Sequence, residues 1–402
     1  MITLVKRDTK GKIRVVEVSC AWDNDEHAYA IDRTTYQYGG KHTPQPRKYI
    51  YKGKVNRTVT EQAKLECNSI LNKYKDDGYK QLEGNINEYK QEDLLKILPE
   101  HTTDANGFAK HMLAKPAKDV KESSIEKVKE WWVSRKIDGV RCSFYWDGEQ
   151  IRSASRGGKD YNYSTHHFRD NEQLIEWFKQ HPTLVLDGEL YKHGKSLQQI
   201  SGAARMEQNA YDMDWLEYYV YDIMIPDMPF ERRLELINKF GYSLNLHFDP
   251  EREWEKGELQ IQIVPHVSVV GDNKVNQIKK LHDLYVEEGW EGCVARDASK
   301  PYGFGSRTNS MIKFKNYKDE CFKVVGIQGG LREVEDMVFI CETDDGKQFK
   351  AKPFGDLYTK QEYWDNFEEK YKGHIAECKF FYYSDEGTPL QPNLKCFRFD
   401  LE

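Results

Sequence analysis

The run KIDGVR at residues 136–141 sets a lysine, an aspartate, a glycine and an arginine within one short turn. Lys136 could attack a phosphoanhydride only as its neutral amine, and burial or nearby cations lower a lysine's pKa towards that state. Gly139 would let the backbone turn closely beside a phosphate. Arg141 offers a planar fork of donors to a phosphate or a ribose. Such a turn also occurs on ordinary hairpins, so the residues that follow decide. Arg156 stands in SASRGG, Asp187 and Glu189 in LDGELY, Tyr221 and Asp222 in YYVYDIM, Glu291 in EGCVAR, and Lys313 and Lys315 in MIKFK. Each alone reads equally well as a charged strand end. Together they supply a candidate nucleophile, two carboxylates able to hold a divalent cation, and several cations to cover phosphates, which are the parts of nucleotidyl transfer.

The ordered series resembles the ATP-dependent DNA ligases, within the lysine nucleotidyltransferase superfamily that includes mRNA-capping guanylyltransferases and RNA ligases. KIDGVR resembles the nucleophile motif and SRGG the second, while DGELY, VYDIM, EGCVAR and MIKFK follow in order. MLAKP at 112–116 resembles the entry to the ligase catalytic domain, and the stretch from Arg296 to Lys313 with Arg307 in it is also ligase-like. The resemblance covers residues 109–402. It implies an enzyme in which Lys136 takes AMP from ATP, passes it to the 5′-phosphate of a nick, and a 3′-hydroxyl then displaces it. It implies Lys136, Lys313, Lys315 and Arg141 as catalytic, with Glu189, Tyr221, Glu291 and Arg398 also on the nucleotide. Glu189 and Glu291 would hold Mg2+, or Mn2+ in its place; Tyr221 would stack on adenine or simply pack in the core. Arg156 and Arg307 would contact DNA.

Two departures stand out. The family's last motif is an Arg-x-Asp-Lys run, whereas this chain reads Phe397-Arg398-Phe399-Asp400-Leu401, without the lysine. Ser134 occupies the place two before Lys136 where ligases carry a longer polar residue. An NAD-dependent ligase is disfavoured by Arg141 and by the absence of a four-cysteine zinc pattern. A guanylyltransferase, an RNA ligase and an inactive nucleic-acid-binding relic are the alternatives.

The elements that must position these residues form an α+β multidomain chain. Residues 1–82 read as short strands plus a helix over 58–76, with Thr60 as N-cap and Gly78 beyond its end; this part resembles a WGR-like domain through YQYGGK and KYKDDGY, though the Trp-Gly-Arg signature is missing. Residues 83–108 read as a linker with a short helix at EDLLKIL. Residues 109–318 alternate strands and helices, with a hairpin turn at Asp147-Gly148, and are expected to form an adenylation domain of antiparallel sheets with flanking helices. Residues 319–402 carry five short strands and one helix, the pattern of a small OB-type barrel.

Among 402 residues, 39% are hydrophobic and 31% charged, and no apolar run approaches a bilayer span of about 20 residues. The N-terminus lacks the apolar core of a signal peptide. The eight cysteines include no CxxC pair, so reduced thiols in a cytoplasmic protein are expected, in a bacterial or phage-infected cell. The net charge of −6 divides unevenly: residues 1–80 carry a surplus of six positive charges. Lys41, Arg47, Lys48, Lys52, Lys54 and Arg57 form an acid-free basic run with Tyr49 and Tyr51 between them. This suits either a nucleic-acid surface, with Lys48, Lys52, Lys54 and Arg57 on phosphates, or a solvated hairpin. The expected partner is nicked duplex DNA, with no membrane, and the expected state is a monomer. GELYKHGKS has five residues between its glycines where a P-loop needs four, and is set aside. His166 and His167 are expected on opposite sides of a strand, without a partner at ligand spacing.

Overall fold

The computed structural model describes residues 1–8, 11–98, 102–103, 108–208, 213–330, 333–384 and 386–401. The chain divides into two compact units, one of Met1–Glu100 with Asn316–Glu402 and the other of His101–Lys315.

The first unit begins with β1 (Ile2–Arg7), β2 (Ile13–Asp23), β3 (Ala28–Gln37), β4 (Thr43–Pro44) and β5 (Lys48–Ile50), then α1 (Val59–Asp76), β6 (Lys80–Gln81) and α2 (Gln91–Ile97). The strands form one sheet in the order β4-β3-β2-β1-β6, with β5 also on β3. Strand periodicity of two sends Leu4, Val16 and Val18 to one face, where Ala63, Ile70 and Leu71 of α1 cover them. It sends Val5, Ile13 and Val15 to the other. That second face needs a cover too, and Ile86, Leu94 and Leu98 supply it. Much of the polar stretch expected as a linker is thus packed; its few apolar residues sit at sparse spacing that hides their shared face. Helix α1 starts at Val59 rather than after Thr60: Thr58 caps it in a reciprocal capping box with Glu61.

The second unit contains β7 (Leu113–Pro116), α3 (Glu122–Glu126), β8 (Trp131–Arg135), β9 (Val140–Trp146), β10 (Ile151–Ser155), α4 (His166–Arg169), α5 (Glu172–Gln180), β11 (Val185–Tyr191), α6 (Leu197–Ala204), β12 (Glu217–Ile223), α7 (Phe230–Ser243), β13 (Ile261–Ile263), β14 (His266–Val269), α8 (Lys274–Glu287), β15 (Gly292–Asp297) and β16 (Arg307–Lys315). Two five-stranded sheets result, β10-β9-β11-β12-β13 and β14-β8-β15-β16-β7. They are antiparallel except where β12 pairs β13 and β16 pairs β7 in parallel, a mixture alternation alone does not reveal. Trp131 and Val133 of β8, Tyr219 and Tyr221 of β12, and Cys293 and Ala295 of β15 share one buried cluster. Phe144, Leu186 and Tyr218 lie in another, with Leu174 and Phe178 of α5 and Ile237 of α7. The chain passes from one sheet to the other between β8 and β9, at residues 136–139.

The first unit ends with β17 (Lys318–Gly330), β18 (Glu333–Glu342), β19 (Gln348–Ala351), α9 (Leu357–Asp365), β20 (Ile375–Phe380) and β21 (Asn393–Phe397). Their order is β19-β18-β17-β20-β21, an open path. The outer strands share a single parallel bridge, Lys352 to Asn393, instead of a ladder. The molecule is therefore a mixed α+β assembly of several sheets, and a closed barrel is not formed among the described residues. Within this unit the N-terminal sheet and the C-terminal strands touch through Arg33, whose Nη1 donates to Glu335 at 2.6 Å, and through the Tyr358 hydroxyl, 3.4 Å from Pro44 O. No described helix is long and apolar enough to cross a membrane.

Candidate active site

Lys136 sits where the chain crosses between the two sheets, and its backbone N–H donates to Gly292 O at 2.9 Å, which ties the crossing to the start of β15. Gly139 is required for space rather than for an unusual φ. A Cβ there would lie 2.2 Å from Leu190 O and 2.8 Å from Glu189 Cγ, so only glycine lets the turn rest against β11. Gly292 combines both demands, with φ +141° and a would-be Cβ 2.3 Å from Phe314 O.

These close approaches bring four charged groups together. Lys136 Nζ is hydrogen-bonded and ion-paired to Glu291, whose other oxygen accepts from Lys315 Nζ at 3.0 Å. Burial is the strongest single influence on the Lys136 ammonium and lowers its pKa, but Glu291 and Glu189 beside it together outweigh burial and raise it. The lysine that chemistry needs neutral is therefore held charged in the free chain, contrary to the sequence expectation, because its neighbours are carboxylates. Burial raises the Glu291 carboxyl, and Lys136 and Lys315 more than reverse this, leaving it lowered. Glu189 is pushed up to about 7, chiefly by burial. Lys313, two residues from Lys315 on the same face of β16, is brought down to about 8 by burial and by Lys315, Lys136 and Arg307. It forms no ion pair among the described residues.

A second, larger knot lies behind. Arg141 donates through Nε and Nη2 to both oxygens of Asp187, at 2.8 and 2.5 Å, and through Nη1 to Met112 O at 2.8 Å. The Tyr302 hydroxyl donates to Asp187 Oδ2 at 2.6 Å. His111 Nε2 lies 3.8 Å from Asp187 Oδ1, and burial brings that imidazole down to about 4, so it is neutral there. The Arg141 donors expected on the nucleotide are largely engaged inside the protein. Tyr221 is 8% exposed, with its ring between the guanidinium groups of Arg141 and Arg296, 5.5 and 5.2 Å away. Its hydroxyl donates to Glu189 Oε2 at 3.0 Å. Asp222 pairs with Arg233 at 2.7 Å, both fully buried. Ser134 accepts from Arg296 Nη1 at 3.2 Å. His111, Tyr302, Arg233 and Arg296 were given no role from the sequence, although Arg296 closes EGCVAR and Tyr302 lies in the stretch after it, because their partners are far off in the chain: Tyr302 meets Arg141 across 161 positions.

The remaining expected residues make no ion pair with this cluster among the described residues, although Arg307 acts on Lys313 and Arg156 on His111 through their charge. Arg156 and Arg307 are exposed, and Arg307 Nη1 donates to Ala114 O at 2.6 Å. Arg398 belongs to the other unit and forms a two-pronged pair with Asp400. In the basic run, Lys48 pairs at 2.8 Å with the buried Glu66, and Arg47 pairs with Asp32, while Lys52, Lys54 and Arg57 are exposed.

A model of the ATP dependent DNA ligase domain matches residues 111–315, the whole of the two-sheet region. The DNA ligase of African swine fever virus is 27% identical over 257 residues, which cover 61% of this chain and 57% of that protein. A DNA ligase of Archaeoglobus fulgidus is 28% identical over 218 residues, 51% of this chain and 35% of that one. The match thus spans 57% of the viral relative and 35% of the archaeal one. Two solved structures share its fold: a Lig E DNA ligase (TM-score 0.52, 18% identity, covering 72% of this chain and all of that one) and Pmar-Lig (TM-score 0.56, 21% identity, covering 72% and 67%).

Proposed function

Because the chain belongs to the ATP-dependent DNA ligase family, we propose that it seals nicks in duplex DNA through a lysyl-AMP on Lys136. The observation that carries this reading is the cluster of Lys136, Glu291, Lys315 and the unpaired Lys313 at the crossing between two sheets. Once its ammonium has given a proton to solvent, Lys136 Nζ attacks the α-phosphorus of ATP, the bond to the pyrophosphate oxygen breaks, and the nitrogen sheds a second proton as the phosphoramide forms. The 5′-phosphate of the nick then takes the adenylyl group from Lys136. Attack of the 3′-hydroxyl on that phosphate expels AMP and closes the strand.

Lys313 and Lys315 neutralise the α-phosphate as its charge develops. Tyr221 and Arg141 act mainly by holding Glu189 and the strand that carries it. The donor set suits a hard divalent cation: two carboxylates converge near Lys136, and Glu189 is raised by burial, as a carboxylate short of positive charge is. Glu189 and Glu291 would hold Mg2+, which would supply neutralisation of phosphate charge. Residues 319–402 are read as a partly open OB-type barrel, supported by the β19 to β21 bridge. Residues 1–82 are read as a basic accessory domain on DNA.

The test is incubation with Mg2+ and ATP or GTP labelled at the α-phosphate, followed by denaturation. Label from ATP that disappears in Lys136→Ala supports the reading. Label from GTP alone moves the protein to the capping reaction, and label retained by Lys136→Ala removes the assigned nucleophile.

A further inference from the structure

Outside the candidate active site, His166 and His167 meet Asp214 in a way their sequence positions do not suggest. They open the short helix α4 instead of lying on a strand, so both rings turn towards the bend that precedes β12. His166 Nε2 lies 3.2 Å and His167 Nδ1 3.8 Å from Asp214 Oδ1, and the three ligand-type atoms are all within 4.8 Å of one another. The far nitrogen of each ring is engaged by a backbone carbonyl: His166 Nδ1 donates to Tyr163 O at 3.2 Å and His167 Nε2 to Leu216 O at 2.9 Å. A carbonyl only accepts, so these bonds place the proton of each neutral ring on the side away from Asp214. Two imidazole lone pairs and a carboxylate oxygen then converge on one point. His167 Nδ1 is buried and takes part in no hydrogen bond. Three acceptors facing one another repel unless a positive charge joins them. A remote ring nitrogen tied to a carbonyl is how metal-ligating histidines are oriented.

We propose that His166, His167 and Asp214 bind one divalent transition metal ion of the Zn2+ class, which pins α4 to the entrance of β12. Bonds of about 2.0–2.1 Å would set tetrahedral ligands roughly 3.3 Å apart. The observed separations need only a small closure to reach this. Two imidazole donors select against Mg2+, so the ion is distinct in kind from the one proposed for Glu189 and Glu291. The strand it would steady carries Tyr221, which holds Glu189. The role is structural and leaves Lys136 chemistry intact.

The untagged full chain is titrated with Co2+, read by its visible ligand-field absorption, in the presence of excess Mg2+. The expected result is one Co2+ per chain, displaced by Zn2+ but not by Mg2+. Asp214→Asn and His166→Gln should each weaken binding by at least about 100-fold, since loss of an orienting partner alone costs roughly 10- to 100-fold. The Asp214 side chain is half exposed, which makes Asp214→Asn a safe variant for folding. Its labelling with ATP should match the wild type. Absence of stoichiometric Co2+, displacement by Mg2+, or equal binding by Asp214→Asn would each overturn the site.

Discussion

The free chain stores Lys136 as an ammonium against Glu291, whereas the neighbouring Lys313 makes no ion pair among the described residues and burial is the largest influence on it. A lysine with a pKa near 8 is charged below that pH and loses its charge as the pH rises through it. Phosphate binding requires the charged form, so affinity for a non-hydrolysable ATP analogue should fall above about pH 8, by up to about tenfold per pH unit for one proton. Lys313→Arg keeps its charge throughout and should flatten the decline; an unchanged profile would remove Lys313 from the phosphate site. His111 gives the opposite edge of the pH range. Its folded pKa, about 4, lies below the ordinary 6.5, so the unfolded chain binds the extra proton between those values. Stability should therefore decline as the pH falls through 6.5, by roughly 3 kcal/mol once below 4. Hydrogen exchange of β9 and β11 amides in wild type and His111→Gln would isolate that share; identical acid profiles would contradict it.

At the scale of elements, the crossing between β8 and β9 is only as accurate as its contact with β11. Gly139→Ala drives a methyl into Leu190 O, a backbone atom that cannot swing aside, so the turn carrying Lys136 must move. A displacement of about 1 Å at reacting groups costs on the order of 100-fold in rate. Single-turnover adenylation should fall by at least that much while far-ultraviolet circular dichroism stays unchanged. Full activity would show that the turn relaxes without moving Lys136. The sequence made much of this site legible because the charged residues sit at strand ends inside short runs, and both strands and ends can be read from alternation. Lys136, Glu291 and Lys315 were named from such runs, and the fold brings them together. The Asp187 knot was not foreseen: Arg141 and Asp187 stand in the quoted runs, but their pairing with each other and with His111 and Tyr302 joins distant segments. Five strands and a helix over 319–402 specify a composition, and the order β19-β18-β17-β20-β21 with one bridge between its ends leaves the barrel reading a proposal. The histidine pair was misplaced for a similar reason: a strand and a helical turn send adjacent residues in different directions, and alternation was too weak to choose.

For the whole molecule, a net charge of −6 repels DNA on average, so any affinity must come from local surfaces that exceed it. The basic run is the strongest of these in sequence, but its charges are not equivalent once folded. Lys48 and Arg47 spend theirs on Glu66 and Asp32, and Arg33, nearby in the sheet, is committed to Glu335. Lys52, Lys54 and Arg57 are exposed close together at the end of the run. Each phosphate neutralised releases condensed counterions and adds about 0.9 to the slope of log affinity against log salt. The triple variant Lys52→Ala, Lys54→Ala, Arg57→Ala should therefore weaken binding to nicked duplex at low salt and reduce that slope by about 2 to 3. Lys48→Ala should leave the slope nearly unchanged and lower stability instead, since it strips the buried Glu66 of its cation. If both variants shift the slope alike, the ion pair with Glu66 opens on DNA; if neither does, the hairpin is a solvated surface and the affinity resides elsewhere, with Arg156 and Arg307 the next residues to test.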